Sequence, residues 1–141
     1  MHYFDSREDL LTQVIVRRDQ TGRPLERDVP RTLAENVRGN AGRPGLVELF
    51  VSLTAAARDR EHPAHEVLAQ RYAGLCAMLR EDLLARQEAG EIPAHLDPDA
   101  LARLIIATAD GAQLQWMVDD GASLEGPLDT LLYDVLGLPR P

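Results

Sequence analysis

The sequence predicts an all-α fold, a bundle of about six helices with no sheet. Three observations predict it. Apolar residues recur at steps of three and four along nearly the whole 141-residue chain, and no segment alternates with the period of a strand. The segments that carry them are bounded by helix-start and helix-stop residues, above all Asp97–Pro98 and Gly90. The apolar content is 45% while only 4% of residues are aromatic, so the core is built from Leu, Val, Ile and Ala, a palette that suits packed helices.

Each helix has its own signature. Ser6 to Asp9 reads as a capping box, and Leu10, Leu11, Val14 and Ile15 follow at helical spacing. That first helix is expected to end by Thr21–Gly22, with Pro24 preventing continuation. Asp28 caps a short second helix with Leu33 and Val37 on its apolar face, closed by Gly39. Pro44 suits the first position of a third helix, whose stripe is Leu46, Leu49, Phe50, Leu53 and Ala57. A fourth is expected over about 63–89, burying Leu68, Tyr72, Leu75, Leu79 and Leu83 beside Cys76, and stopping at Gly90. Asp97 and Pro98 open a fifth helix that reaches about Asp120. A sixth takes Leu128, Leu131, Leu132, Val135 and Leu136 and stops before Pro139.

The last two helices carry more apolar surface than one seam needs. Ala102, Ile106, Ala107 and Ala109 add a second apolar face to the fifth helix, and its small residues permit close approach of another helix. A homodimer through a four-helix bundle is expected, with Leu101, Ile105, Ala109, Ala112, Leu128, Leu131, Leu132 and Val135 at the interface.

Charge and composition exclude several classes. The formal net charge is −8, and the basic residues near the second helix, Arg17, Arg18, Arg23, Arg27 and Arg31, are interleaved with Asp19, Glu26 and Asp28. Specific binding of duplex DNA by this chain is therefore not expected, because phosphate contact requires clustered positive charge. One cysteine, Cys76, makes no internal disulfide, which fits the cytoplasm. No apolar run approaches the ~20 residues of a membrane span, so no membrane association is expected.

His2-Tyr3-Phe4-Asp5-Ser6-Arg7-Glu8-Asp9-Leu10-Leu11 resembles a junction in the TetR family of transcriptional regulators, where the recognition helix ends and a capped helix rich in Glu and Leu begins. Downstream, Gly90-Glu91-Ile92 with Leu96-Asp97-Pro98-Asp99-Ala100-Leu101-Ala102 resembles the start of that family's penultimate helix, and Asp110-Gly111-Ala112-Gln113-Leu114-Gln115-Trp116 its middle. The resemblance implies a TetR-type C-terminal regulatory domain over 6–141, with 1–5 as the end of a DNA-binding domain that is otherwise lacking. It implies that Tyr3 and Arg7 correspond to positions that touch DNA phosphates, that DNA is a partner only when the N-terminal domain is present, and that the function is ligand-responsive repression.

Polar residues that interrupt the apolar stripes are the candidates for an effector pocket: Thr54, Tyr72, Thr108, Gln113 and Trp116, with Phe50, Cys76 and Met117 as apolar lining. The expected ligand is a small hydrophobic molecule held among the helices between about 28 and 118. His62, His65 and Glu66 share a helix start, but two histidines without third and fourth ligands do not make a zinc site. No metal or cofactor is expected. Nor is an enzyme: there is no Gly-x-Ser-x-Gly, no His-Glu-x-x-His and no glycine-rich phosphate loop. The rival to the repressor is a helical adaptor that binds other proteins and needs no internal cavity.

Overall fold

A computed structural model describes residues 6–21 and 28–141. Among the described residues six helices follow in order: α1 Arg7–Thr21, α2 Val29–Gly39, α3 Pro44–Ala56, α4 Ala64–Glu88, α5 Pro98–Val118 and α6 Gly126–Asp129. A 3-10 turn over Asn40–Gly42 precedes α3, and a π-helical stretch over Thr130–Val135 extends α6. The described residues contain no strand. The chain is all-α.

The caps are local chemistry. Ser6 Oγ accepts from Asp9 N at 3.0 Å, and Asp97 Oδ1 accepts from Asp99 N at 3.0 Å; each satisfies a donor that the first helical turn leaves without a partner. Asp28 caps α2 through Arg31 N while its own φ is 49°, a left-handed conformation that Asp tolerates better than most residues. The strain is held in place by Arg86, whose 14% exposed side chain binds Asp28, Asp82 and Glu91. Asp82 also accepts from Val29 N. One guanidinium thus ties α4 to the start of α2 and to the segment that follows α4.

Apolar burial falls into two clusters. The larger joins Val37 of α2, Leu79 and Leu83 of α4, Leu101, Ala102, Ile105, Ile106 and Ala109 of α5, Leu128 of α6, and Leu132, Leu136 and Leu138 beyond it. The smaller joins Ile15 of α1, Phe50 and Leu53 of α3, and Ala64 and Leu68 of α4. Helix α4 serves both, its N-terminal half in the smaller cluster and its C-terminal half in the larger. Tyr72 packs against both.

Two expectations are corrected. In α3 the deepest side chain is Val47, 1% exposed, whereas Leu46 and Leu49 are only half-buried. The C-terminal helix is α-helical for one turn and then widens, with Leu136 N bonding to Leu131 O five residues back at 2.9 Å. The wider turn keeps Leu128, Leu132 and Leu136, four residues apart, on the core side, and leaves Val135 69% exposed. Gly137, with φ 72°, closes the element with a bond from Leu138 N to Leu132 O.

The residues expected at the dimer face are mostly buried within one chain. Leu101, Ile105, Ala109, Ala112, Leu128 and Leu132 are at most 6% exposed within one chain, so they have no surface left for a partner. Of the expected set only Leu131, half-buried, and Val135 reach the surface. The apolar surface of α5 lies a third of a turn away, on Leu104, Ala107, Leu114 and Val118, with Gly111 half-buried among them.

Candidate functional site

Where the two clusters meet, side chains of α1 to α5 leave a cavity of about 380 Å³. Its wall is largely apolar, with Ile15, Leu33, Val47, Leu75 and Ile106 contributed by five different helices. A second recess of about 320 Å³ adjoins it, bounded by Val51, Thr54, Ala55 and Leu114. The two share Phe50, Tyr72, Asp110 and Gln113. The first volume lies within the range of small-molecule sites.

The shared partition holds the most consequential polar contact. Tyr72 donates its hydroxyl to Asp110 Oδ2 at 2.7 Å, linking α4 to α5. Burial raises the Asp110 carboxyl above its ordinary value, opposed by the Tyr72 hydrogen bond and by Arg71. Burial, then the hydrogen bond to Asp110, also raises Tyr72 well above the usual tyrosine range. Both effects favour the neutral acid and the neutral phenol in this apolar setting.

A second polar group closes the α1 side. Arg71 lies with its guanidinium carbon 4.5 Å from the Phe50 ring centroid, and its Nε donates to Asp19 Oδ2 at 2.8 Å. Arg18 donates to Asn40 Oδ1 at 2.6 Å, and burial pulls its guanidinium below the ordinary value. The cavity thus combines an apolar wall with two guanidinium groups, two carboxyl groups and a phenol.

The expected pocket residues divide evenly. Phe50, Thr54, Tyr72 and Gln113 line the cavity or its recess. Thr54 Oγ1 donates to Phe50 O at 2.7 Å, and Gln113 Nε2 to Ala109 O at 3.4 Å. Cys76, Thr108, Trp116 and Met117 line neither. Cys76 and Trp116 pack against the larger cluster, Thr108 bonds back to Leu104 O, and Met117 is 38% exposed. Helix α1, outside the expected span of 28 to 118, supplies Ile15, Arg18 and Asp19.

Asp110, Arg71, Arg18 and Asp19 were not expected at the site. A signal for Asp110 exists in the sequence: it is the one charged residue between Leu104 and Val118, inside an otherwise apolar helix. Arg71 carries the same mark, as the one charged residue between Glu66 and Arg80, whereas Arg18 and Asp19 sit among charged neighbours.

The remaining candidates have local roles. His62 Nδ1 accepts from Ala64 N at 3.0 Å, and the His65 ring bonds to Ala57 O at 2.7 Å. Both fix the turn into α4. Among the described residues no group of three or more His, Cys, Asp or Glu is placed to hold a metal, and no helix is long and apolar enough to cross a membrane. Arg7 is exposed at the start of α1, and Tyr3 lies outside the described residues, as do Gly22 and Pro24.

The family model for the C-terminal domain of BetI-type transcriptional repressors matches residues 26–132, well over half of the chain. Comparison with curated proteins and with solved structures gave no match. The matched span holds α2 to α5, the cavity wall they form, and the start of the C-terminal helix. The chain belongs to the TetR family of transcriptional regulators and carries the family's BetI-type C-terminal domain.

Proposed function

We propose that this domain is the effector-binding and dimerisation core of a ligand-responsive repressor acting in the cytoplasm, and that the effector is a small, largely hydrophobic molecule held in the cavity between α1 and α5. The observation that carries the reading is the cavity itself: about 380 Å³, walled by five helices, with its polar groups gathered at Tyr72, Asp110, Arg71 and Arg18. A helical adaptor has no use for such a space.

The dimer partner in this reading is a second copy, docked on the exposed side of α5. Leu104, Ala107, Gly111, Leu114 and Val118 follow at alternating steps of three and four, the spacing of a two-helix seam. Val135 and Leu131 extend it onto the C-terminal helix. Leu114 belongs to both this seam and the wall of the smaller recess, so a ligand there bears directly on the interface. An effector that prefers one dimer arrangement shifts DNA affinity by its difference in affinity for the two, and by no more.

The test exploits Gly74, which lines the cavity and where an added Cβ meets nothing within 4 Å. A set of small apolar compounds is screened by thermal shift against the wild type and Gly74→Phe. Compounds that raise the melting temperature of the wild type but not of Gly74→Phe, whose own melting temperature is measured alongside, support the reading. A set without one such compound, or with shifts identical in both proteins, sinks it.

A further inference from the structure

Resting on the effector reading above, we propose that the cavity selects an amphiphilic carboxylate, whose head replaces Asp19 on Arg71 and so unties α1 from α4.

The charged side chains lining the cavity are Arg18, Asp19, Arg71 and Asp110. They are not equally replaceable. Asp110 is engaged by the Tyr72 hydroxyl at 2.7 Å and is shielded by burial. Arg71 is in the N-terminal half of α4 and lies over the Phe50 ring, a contact that holds the guanidinium in place whichever anion it binds. Asp19 has neither anchor. It sits in the last turn of α1, where the negative end of the helix dipole disfavours a carboxylate, and its side chain is 35% exposed. Such a half-exposed pair is weak and screened by salt.

A ligand carboxylate on Arg71 therefore takes over a pairing that already exists and lets Asp19 swing into water. The charge balance of the cavity is unchanged. Arg71 offers a planar fork that suits a carboxylate, and Arg18, beside Asp19 with 3.7 Å between them, adds a second positive group. A cationic head meets two guanidinium groups and an aromatic face already covered by one of them. The alkyl part of the ligand then lies along Ile15, Leu33, Val47 and Leu75. The consequence for regulation follows from position, since Asp19 to Arg71 is a polar bridge from α1 to α4. Its loss removes that tie to α4 and leaves the Arg18–Asn40 hydrogen bond and the apolar contacts around Ile15.

Calorimetric titration of the full chain with octanoate, octanol and octyltrimethylammonium separates the possibilities by head group at constant tail. Octanoate is expected to bind at least about tenfold more tightly than octanol. Arg71→Gln removes that advantage and leaves octanol binding unchanged. Asp19→Asn, which keeps the shape and removes the competing charge, raises octanoate affinity several-fold; a merely structural role for Asp19 predicts no gain. Amide exchange in α1 quickens when octanoate is bound. Equal binding of octanoate and octanol, preference for the ammonium compound, or unchanged or weaker octanoate binding in Asp19→Asn overturns this inference and leaves the effector cavity standing. Failure of all three compounds to bind overturns both. If Arg71→Gln does not fold, the head-group ranking on the wild type and the Asp19→Asn result decide the matter.

Discussion

Tyr72 on α4 and Asp110 on α5 are joined by a 2.7 Å hydrogen bond that forms the wall between two adjoining cavities. The pair couples the helix shared by both apolar clusters to the helix that carries the exposed seam. Tyr72→Phe removes the donor and leaves the Asp110 carboxyl largely buried without it. A loss of about 1–2 kcal/mol in unfolding free energy is expected, as for other buried bonds to a carboxylate. Urea denaturation checks it; an unchanged midpoint would mean that water replaces the phenol without cost.

The same pair sets a pH dependence. Burial raises the Asp110 carboxyl in the folded state, so the folded chain keeps that proton to higher pH than the unfolded chain does. The stability this gives is present below the ordinary aspartate value of about 4 and is lost as pH rises through the folded value. Asp110→Asn keeps an acceptor for Tyr72 but does not titrate. Stability measured from acid to neutral pH should therefore fall in the wild type relative to Asp110→Asn. Parallel curves, or a wild type that gains, would contradict the assignment.

At the alkaline end the sign is the same. Burial raises both Tyr72 and Tyr133, so unfolded tyrosine ionises first and stability declines above about pH 10. Tyr72→Phe should flatten part of that decline, and denaturation at a series of alkaline pH values reads it.

Arg86 is the structural counterpart of the site. Its guanidinium binds three carboxylates, of which Asp82 is 13% exposed while Asp28 and Glu91 are 42% and 49% exposed. Arg86→Met is expected to cost about 2 kcal/mol, chiefly through Asp82 and the left-handed Asp28, with the two exposed partners adding little. The loss should appear first as faster amide exchange at the start of α2. Uniform protection there would show that the α2 cap stands without Arg86.

Two leucines separate fold from assembly. Leu132 is 0% exposed and Leu114 is 53% exposed. Leu132→Asp places an unpaired charge in the larger cluster and should prevent folding. Leu114→Glu should leave the helical fold intact while converting dimer to monomer in sedimentation at micromolar concentration, with melting lowered and no longer dependent on protein concentration. A stable Leu114→Glu dimer would place the interface elsewhere.

The helices were legible in the sequence because their caps are short-range chemistry: Ser6 with Asp9, Asp97 with Asp99, and Pro44 and Pro98 at first positions all act within one turn. The side of α5 that stays exposed was not. Leu101, Ala102, Ile105, Ile106 and Ala109 bury one face, and Leu104, Ala107, Gly111, Leu114 and Val118 supply another. Two apolar faces on one helix do not tell which face the chain keeps for itself; that depends on where α4 and α6 pack. The cavity was half legible. Tyr72 and Gln113 stand out as polar interruptions of apolar stripes, whereas Asp19 and Arg71 meet across 52 positions and nothing local shows that they pair.

The central claim, that the space between α1 and α5 is an effector site, is tested most directly by heteronuclear NMR of the labelled chain titrated with octanol, a neutral probe that makes no demand on the charged groups. Shifts are expected to concentrate at Ile15, Val47, Phe50, Tyr72 and Gln113 and to be abolished in Gly74→Phe. Shifts confined to Leu104, Val118 and Val135 on the exposed seam, or persisting unchanged in Gly74→Phe, would contradict it.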